Sequence, residues 1–242
     1  MHTRRINIFI GAYGSGKTEL AVNYALKLKL KKIGQKVGLV DLDIVNPFFR
    51  SRELKTFLNG QGIEVLSTEK GLEEADLPAL SPRIFAFLQD STYQAVFDVG
   101  GDPVGARALG RYEDYFSPRT QGGAGAGAGA GVYNLWWVIN PYRPGCFGSD
   151  LLLDLAGRLE STSKLKITGI IDNSNLGKET TPELRTEGAR IVDETAALLN
   201  LPVVIRTTVP PLDAARALRR REQEAEIMQL KLFMVPPWEN PY

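Results

Sequence analysis

Short apolar runs recur along the chain and alternate with stretches of helical spacing. The runs are Ile6–Ile10, Val37–Val40, Ile63–Leu66, Ala95–Val99, Leu135–Ile139, Ile167–Ile171 and Val203–Ile205. Between the first two, "TELAVNYALKLKLKKIG" (18–34) has helical periodicity and closes on lysines and Gly34, a good helix stop. Further helices are predicted over 81–91, 149–162, 182–200 and 213–232. Apolar runs of strand length separated by helices predict an α/β fold. The expectation is one doubly wound domain over 1–242, with a mostly parallel sheet of about seven strands and helices on both faces.

One segment breaks the pattern. "QGGAGAGAGAG" (121–131) alternates glycine and alanine and carries no side chain able to pack, bind or catalyse, so it reads as a flexible surface loop. The C-terminal tail "MVPPWENPY" (234–242) sets two aromatics among prolines and lies outside the repeating pattern, from 235 onward.

Composition narrows the chemistry. The chain has 242 residues, 43% hydrophobic and 24% charged, with a formal net charge of +1. That balance gives no global field for nucleic acid or anionic lipid, and neither is expected as a partner. One cysteine, Cys146, and one histidine, His2, cannot build an internal disulfide or a self-contained thiolate or imidazole metal site. A buried, incidental thiol is the expected role of Cys146. No apolar run approaches the roughly 20 residues needed to span a bilayer. The basic start "MHTRRINIFIG" reads as a first buried strand rather than a signal peptide. The expected setting is the reducing cytoplasm.

The candidate chemistry begins directly behind the first strand. "GAYGSGKT" (11–18) fits the phosphate-binding pattern G-x-x-x-x-G-K-[ST] (Walker A) without a mismatch, between a strand and a helix. Backbone N–H groups at Gly11, Gly14, Ser15 and Gly16 can converge on phosphate oxygens, aided by the positive end of the helix that follows. Lys17 would reach the β- and γ-phosphates, and the Thr18 hydroxyl would ligate Mg²⁺. Glu19 is grouped with the nucleotide-contacting residues. "QAVFDVGGD" (94–102) ends a second strand in Asp98, expected to hold Mg²⁺ through water, with Gly100–Gly101 able to approach a terminal phosphate. Asp102 before Pro103 reads equally well as a turn residue. In "GLVDLDIVNPFFRSRE" (38–53), Asp41 and Asp43 flank Leu42. They are expected to point to opposite sides, leaving one to face the phosphates. Asp43, closer to the loop, is assigned to the attacking water or the Mg²⁺ shell, with Lys17 as the other catalytic residue. Arg50 and Arg52 follow. In "INPYRPG", Tyr142 and Arg143 close a strand where open α/β sheets bind ligands, and they are candidates for contact with substrate or partner.

With "GAYGSGKT", "DLDIVNP" (41–47) and "FDVGG" (97–101), the chain resembles the MinD/ParA and cobyrinic acid a,c-diamide synthase-like branch of P-loop nucleotide-binding proteins. "ITGIIDNSNLG" (167–177) and "LPVVIRTTVPPLDAA" (201–215) extend the resemblance over most of the chain. It implies ATP or ADP with Mg²⁺, a strand-end Asn173 that reads the adenine base, and Pro210 in the loop covering that base. It also implies slow ATP hydrolysis coupled to a partner protein or a homodimer. The same branch contains enzymes that use ATP to activate a small carboxylate, so that activity and a scaffold role without turnover stay open beside it. One departure stands out. The branch usually carries an extra lysine after the loop's first glycine, reaching across a dimer, and this chain has Ala12 there. Either that dimer mechanism is absent or another cation, Arg50 or Arg52, supplies the charge. Metal sharing through Cys146, as in metallochaperone members, and membrane targeting by the 213–232 helix are the less favoured roles; docking on the domain's own sheet is the expectation for that helix.

Overall fold

The seven runs all become strands, and an eighth joins them. A computed structural model describes residues 4–31, 34–43, 54–67, 83–101, 103–116, 133–146, 148–208 and 225–234. The strands are β1 (Ile6–Gly11), β2 (Lys36–Leu42), β3 (Ile63–Ser67), β4 (Tyr93–Gly100), β5 (Tyr133–Ile139), β6 (Gly169–Asp172), β7 (Val203–Thr208) and β8 (Glu226–Gln229). They form one sheet in the order β3-β2-β4-β1-β5-β6-β7-β8, with every neighbouring pair parallel. The helices are α1 (Lys17–Lys31), α2 (Lys55–Gly60), α3 (Arg83–Gln89), α4 (Pro103–Gly110), α5 (Glu113–Phe116), α6 (Ser149–Ser163) and α7 (Pro182–Leu199).

Strands buried on both faces need apolar residues at odd and even positions alike, which is why they read as continuous runs. Ile6, Ile8 and Ile10 of β1 pack with Phe97, Leu135 and Trp137 beneath α3, α4, α6 and α7. Phe9 faces the other way, with Val96, Trp136, Val138 and the α1 residues Leu20, Tyr24 and Leu28. On that second face Phe9, Tyr24 and Trp136 form a mutual aromatic cluster, with ring centroids 5.1 to 5.4 Å apart. Such pairs add about 1 kcal/mol each beyond the area they bury, and they clamp α1 onto the centre of the sheet. The amide side chains of Asn7 and Asn134, level with each other on β1 and β5, meet in a hydrogen bond of 2.8 Å.

The chain leaves β1 towards β2 and β3 on one side, returns through β4, then crosses to β5 and onward on the other. β1 is therefore the switch point, and the crevice at its carboxyl end, flanked by the ends of β4 and β5, is where such sheets bind ligands.

Two expectations are corrected here. The 213–232 helix does not hold across its end: Glu226–Gln229 is β8, paired in parallel with Ile205–Thr208 of β7. The uncovered edge of β7 offered a ladder of hydrogen bonds, and Met228 and Leu230 fill the second core face from it. Tertiary pairing thus overrides the helical propensity of "EIMQL". The segment does dock on the sheet, but as a strand. β6 also begins at Gly169 rather than Ile167. The Gly-Ala stretch, residues 213–224 of the predicted helix, and the tail from 235 lie outside the described residues. Among the described residues no helix is long and apolar enough to cross a membrane.

Candidate phosphate-binding site

The loop between β1 and α1 is shaped by its neighbours as much as by its own sequence. Gly14 and Gly16 have φ values of 73° and 87°, a region that side chains rarely adopt. The Ser15 N–H donates to Ala12 O at 3.0 Å, and the Leu20 N–H donates to Gly16 O at 3.0 Å, which begins α1. Gly101, just past β4, presses on the base of the loop. A Cβ there would lie 2.0 Å from the Gly11 carbonyl oxygen. Gly101→Ala is expected to destabilise the protein by roughly 3 kcal/mol or more, because backbone must move against backbone; chemical denaturation measures it. An unchanged midpoint would mean that this contact is not tight.

Around the loop stand charged side chains that are almost fully buried. Lys17 Nζ lies 2.8 Å from Asp43 Oδ2, with both side chains at most 5% exposed. Asp41 and Asp98 are level on β2 and β4 and fully buried. They share the face that α1 covers, with Leu39 and Val96. The expectation that Asp41 and Asp43 point to opposite sides is corrected. Residues two apart on an extended strand share a face, and both act electrostatically on Asp98. Asp41 Oδ1 also accepts the Asp43 N–H at 3.1 Å, fixing the turn out of β2.

Asp98 is the most perturbed group of the cluster. Burial pushes its carboxyl up to about 8; Lys17 opposes this, Asp41 and Asp43 add to it, and the nearby Thr18 hydroxyl holds it down slightly. Neither Asp98 oxygen makes a hydrogen bond of good geometry, and Ser15 Oγ lacks one as well. Buried polar atoms without partners are rare in folded proteins. Here one side chain belongs to the phosphate loop and the other to the strand beside β1. Among the described residues no group of three or more Asp, Glu, His or Cys side chains is arranged to hold a metal unaided. A Mg²⁺ ion asks for fewer ligands than that, since it keeps waters and takes one or two protein oxygens beside those of phosphate. Thr18 and Asp98 fit such a site. Asp43, also expected at the metal, is paired with Lys17 in this structure.

The far wall comes from the end of β6. Asn173, 3% exposed, donates from Nδ2 to Ser15 O at 2.6 Å and accepts the Thr207 hydroxyl at 2.5 Å. Expected to read a base, its amide here braces the phosphate loop. A Cβ on Gly16 would come within 2.2 Å of that nitrogen. The strand end is itself fixed by buried charge. Asp172 Oδ2 pairs with Arg206 Nη1 at 2.7 Å, and Asp172 Oδ1 accepts the Ser174 hydroxyl at 2.6 Å. Arg185 donates to the carbonyls of Ser174 and Thr207.

Glu19, expected at the nucleotide, holds the segment after β8 in this structure. Its carboxylate accepts the backbone N–H groups of Phe233 and Met234, and burial pushes its pKa up against those two bonds. Cys146 is buried and free, and burial pushes its thiol up, away from the reactive thiolate. Asn46, Arg50, Arg52, Asp102 and Pro210 lie outside the described residues. Sequence reasoning missed the bracing roles of Asn173, Arg185 and Arg206. Paired Arg and Asp on successive strands were the available signal.

No family model matches the chain, and no curated protein matches it. Solved structures do resemble it. The signal recognition particle 54 kDa protein of Aeropyrum pernix, in complex with GDP, has a TM-score of 0.51 and 21% identity over 83% of this chain and 40% of its own. The cell division protein FtsY of Thermotoga maritima has a TM-score of 0.50 and 17% identity over 84% of this chain and 61% of its own. A nucleotide-binding protein of Archaeoglobus fulgidus in complex with ADP is 14% identical, with a TM-score of 0.47, over 89% of this chain and 85% of its own. The chain spans 40% of the first of these chains and 61% of the second. At these identities the likeness shows the fold. The chain has the doubly wound α/β fold of P-loop NTPases.

Proposed function

We propose that this chain binds Mg-ATP at the β1–α1 loop and hydrolyses it slowly, as a cytoplasmic switch acting on a partner protein. The observation that carries the reading is the clustering of Lys17, Asp41, Asp43 and Asp98, buried together beside that loop. A lysine paired with one carboxylate beside two more has a ready exchange to make. An incoming triphosphate takes Lys17 from Asp43. Asp43 is then free to hold the proton of an attacking water in line with the terminal phosphate. Thr18 and Asp98 would hold Mg²⁺, which neutralises charge on the phosphate oxygens. The loop N–H groups and Lys17 stabilise the charge that develops during transfer.

The switch follows from Gly101. It abuts Gly11 at the foot of the loop, and α4 follows it immediately, so a shift at the terminal phosphate is passed to residues 98–116. Adenine as the base, and the regulatory role, rest on the likeness to the MinD/ParA and cobyrinic acid a,c-diamide synthase-like branch. For Asn173 to read that base, its bonds to Ser15 and Thr207 must exchange.

Phosphate release from ATP by the purified protein tests the reading. Release is expected, and it is expected to vanish in Lys17→Ala and Asp43→Ala. Tight ATP binding without release would sink the hydrolase reading, and release only with an added small carboxylate would favour acid activation. Tighter binding of GTP than ATP would overturn the choice of base.

A further inference from the structure

We infer that Arg143 is a second cation of the phosphate site, reaching the terminal phosphates of the bound nucleotide from the turn between β5 and α6. The inference rests on the nucleotide-binding reading above and adds a residue to it. Arg143 lies against the loop itself. A Cβ placed on Gly14 would be 3.4 Å from Arg143 Cδ and Nε and 3.7 Å from Cζ, so the guanidinium packs over the loop residue that has no side chain. Its Nε is buried and finds no acceptor among the described residues. A buried donor left without an acceptor is destabilising. Packing against a glycine does not offset that.

The turn that carries Arg143 is built to hold it still. Asn140, 1% exposed, accepts the Tyr142 N–H at 3.2 Å through its side chain and the Arg143 N–H at 3.1 Å through its carbonyl. Asn140 Nδ2 donates to Asn175 O at 2.8 Å, tying the turn to the end of β6. The Cys146 N–H closes the next turn onto Arg143 O at 3.0 Å, and the Tyr142 hydroxyl donates to Leu184 O. Five restraints on seven residues leave the backbone little freedom, while the Nε they position has no acceptor among the described residues. A planar, permanently charged fork suits a phosphate, which can accept two of its N–H groups at once. Lys17, the cation of the loop itself, is already paired with Asp43.

Titration calorimetry with ATP, ADP and inorganic tripolyphosphate on wild type, Arg143→Ala and Arg143→Lys tests the assignment. Arg143→Ala is expected to weaken ATP and tripolyphosphate binding by roughly 10- to 100-fold. ADP should lose less, and Arg143→Lys should recover part of the affinity. The melting temperature of the nucleotide-free protein should stay within about 2 °C of wild type, since no protein acceptor is lost. Equal ATP affinity in wild type and Arg143→Ala would overturn the inference and leave nucleotide binding standing. Equal losses for ADP and ATP would also overturn the terminal-phosphate assignment. So would a large drop in melting temperature with unchanged ATP affinity, which would make the arginine structural. A wild type that binds none of the three ligands would overturn the nucleotide reading and this inference together.

Discussion

Lys17→Ala is expected to weaken ATP binding by roughly 100-fold and to destabilise the nucleotide-free protein as well. The first effect is the loss of a charge-assisted contact to phosphate, about 1.5–3 kcal/mol. The second has a different origin. Lys17 is the ion-pair partner of Asp43, which is 2% exposed, and Asp41 and Asp98 are fully buried beside it. Removing one member of a buried pair leaves an uncompensated charge, at a cost of about 3–5 kcal/mol. In a domain of this size that lowers the melting temperature by roughly 6–20 °C. A double substitution, Lys17→Ala with Asp43→Asn, separates the two effects, because it also removes the orphaned charge. It should recover most of the stability and none of the ATP affinity. If Lys17→Ala binds ATP as wild type does, the loop is not a phosphate site.

Asp98→Asn should change stability and function in opposite directions, with a characteristic dependence on pH. The carboxyl has an ordinary value of 3.8 in the unfolded chain and about 8 in the folded one, chiefly because burial disfavours its charge. A raised carboxyl contributes stability that is complete below about 4 and is lost as pH rises towards 8, since the unfolded chain releases its proton first. Asparagine has no charge to bury. The variant should therefore melt like wild type near pH 4 and above it at pH 8, in the absence of nucleotide and Mg²⁺. The same change removes a carboxylate from the Mg²⁺ shell, so the gain in ATP affinity on adding Mg²⁺ should fall by roughly tenfold or more. Scanning calorimetry across pH and binding with and without chelator measure the two halves. A variant less stable than wild type at pH 8 would show that the wild-type carboxylate is held in its charged form.

Those two residues show how far the sequence carried the argument. Lys17 and Asp98 were legible because each sits in a local signal: a loop pattern between strand and helix, and an acidic residue closing an apolar run before two glycines. The parallel sheet was legible for the same reason, since strands buried on both faces leave unbroken apolar runs. What escaped depends on contacts between distant segments. β8 exists because β7 offered an edge, and nothing within "EIMQ" announces a strand. Asn173 matched a base-reading position, yet its amide is held by Ser15 O and the Thr207 hydroxyl, from segments 158 and 34 residues away. Glu19 stood next to the loop in sequence, but a helix turns its side chains through about 100° per residue, and it meets Phe233 instead. Arg143 was visible as a strand-end residue, but its proximity to Gly14 follows only from the adjacency of β1 and β5.

The bonds from Glu19 and Asn23 to the segment after β8 have a consequence for synthesis. Asn23 exchanges hydrogen bonds with Lys231 in both directions at 2.9 Å, and Glu19 receives the N–H groups of Phe233 and Met234. These contacts join residues 208 to 215 positions apart, nearly the length of the chain. A nascent chain that stops short of β8 has made the loop and all of α1, but it lacks the strand and the segment after it that hold α1 from the other end. Glu19 would then stand on an unfinished face of the sheet, without the backbone donors that receive it. α1 is thus fastened by a segment made 208 or more residues after it, and the face of the sheet that carries it closes only once β8 has been made.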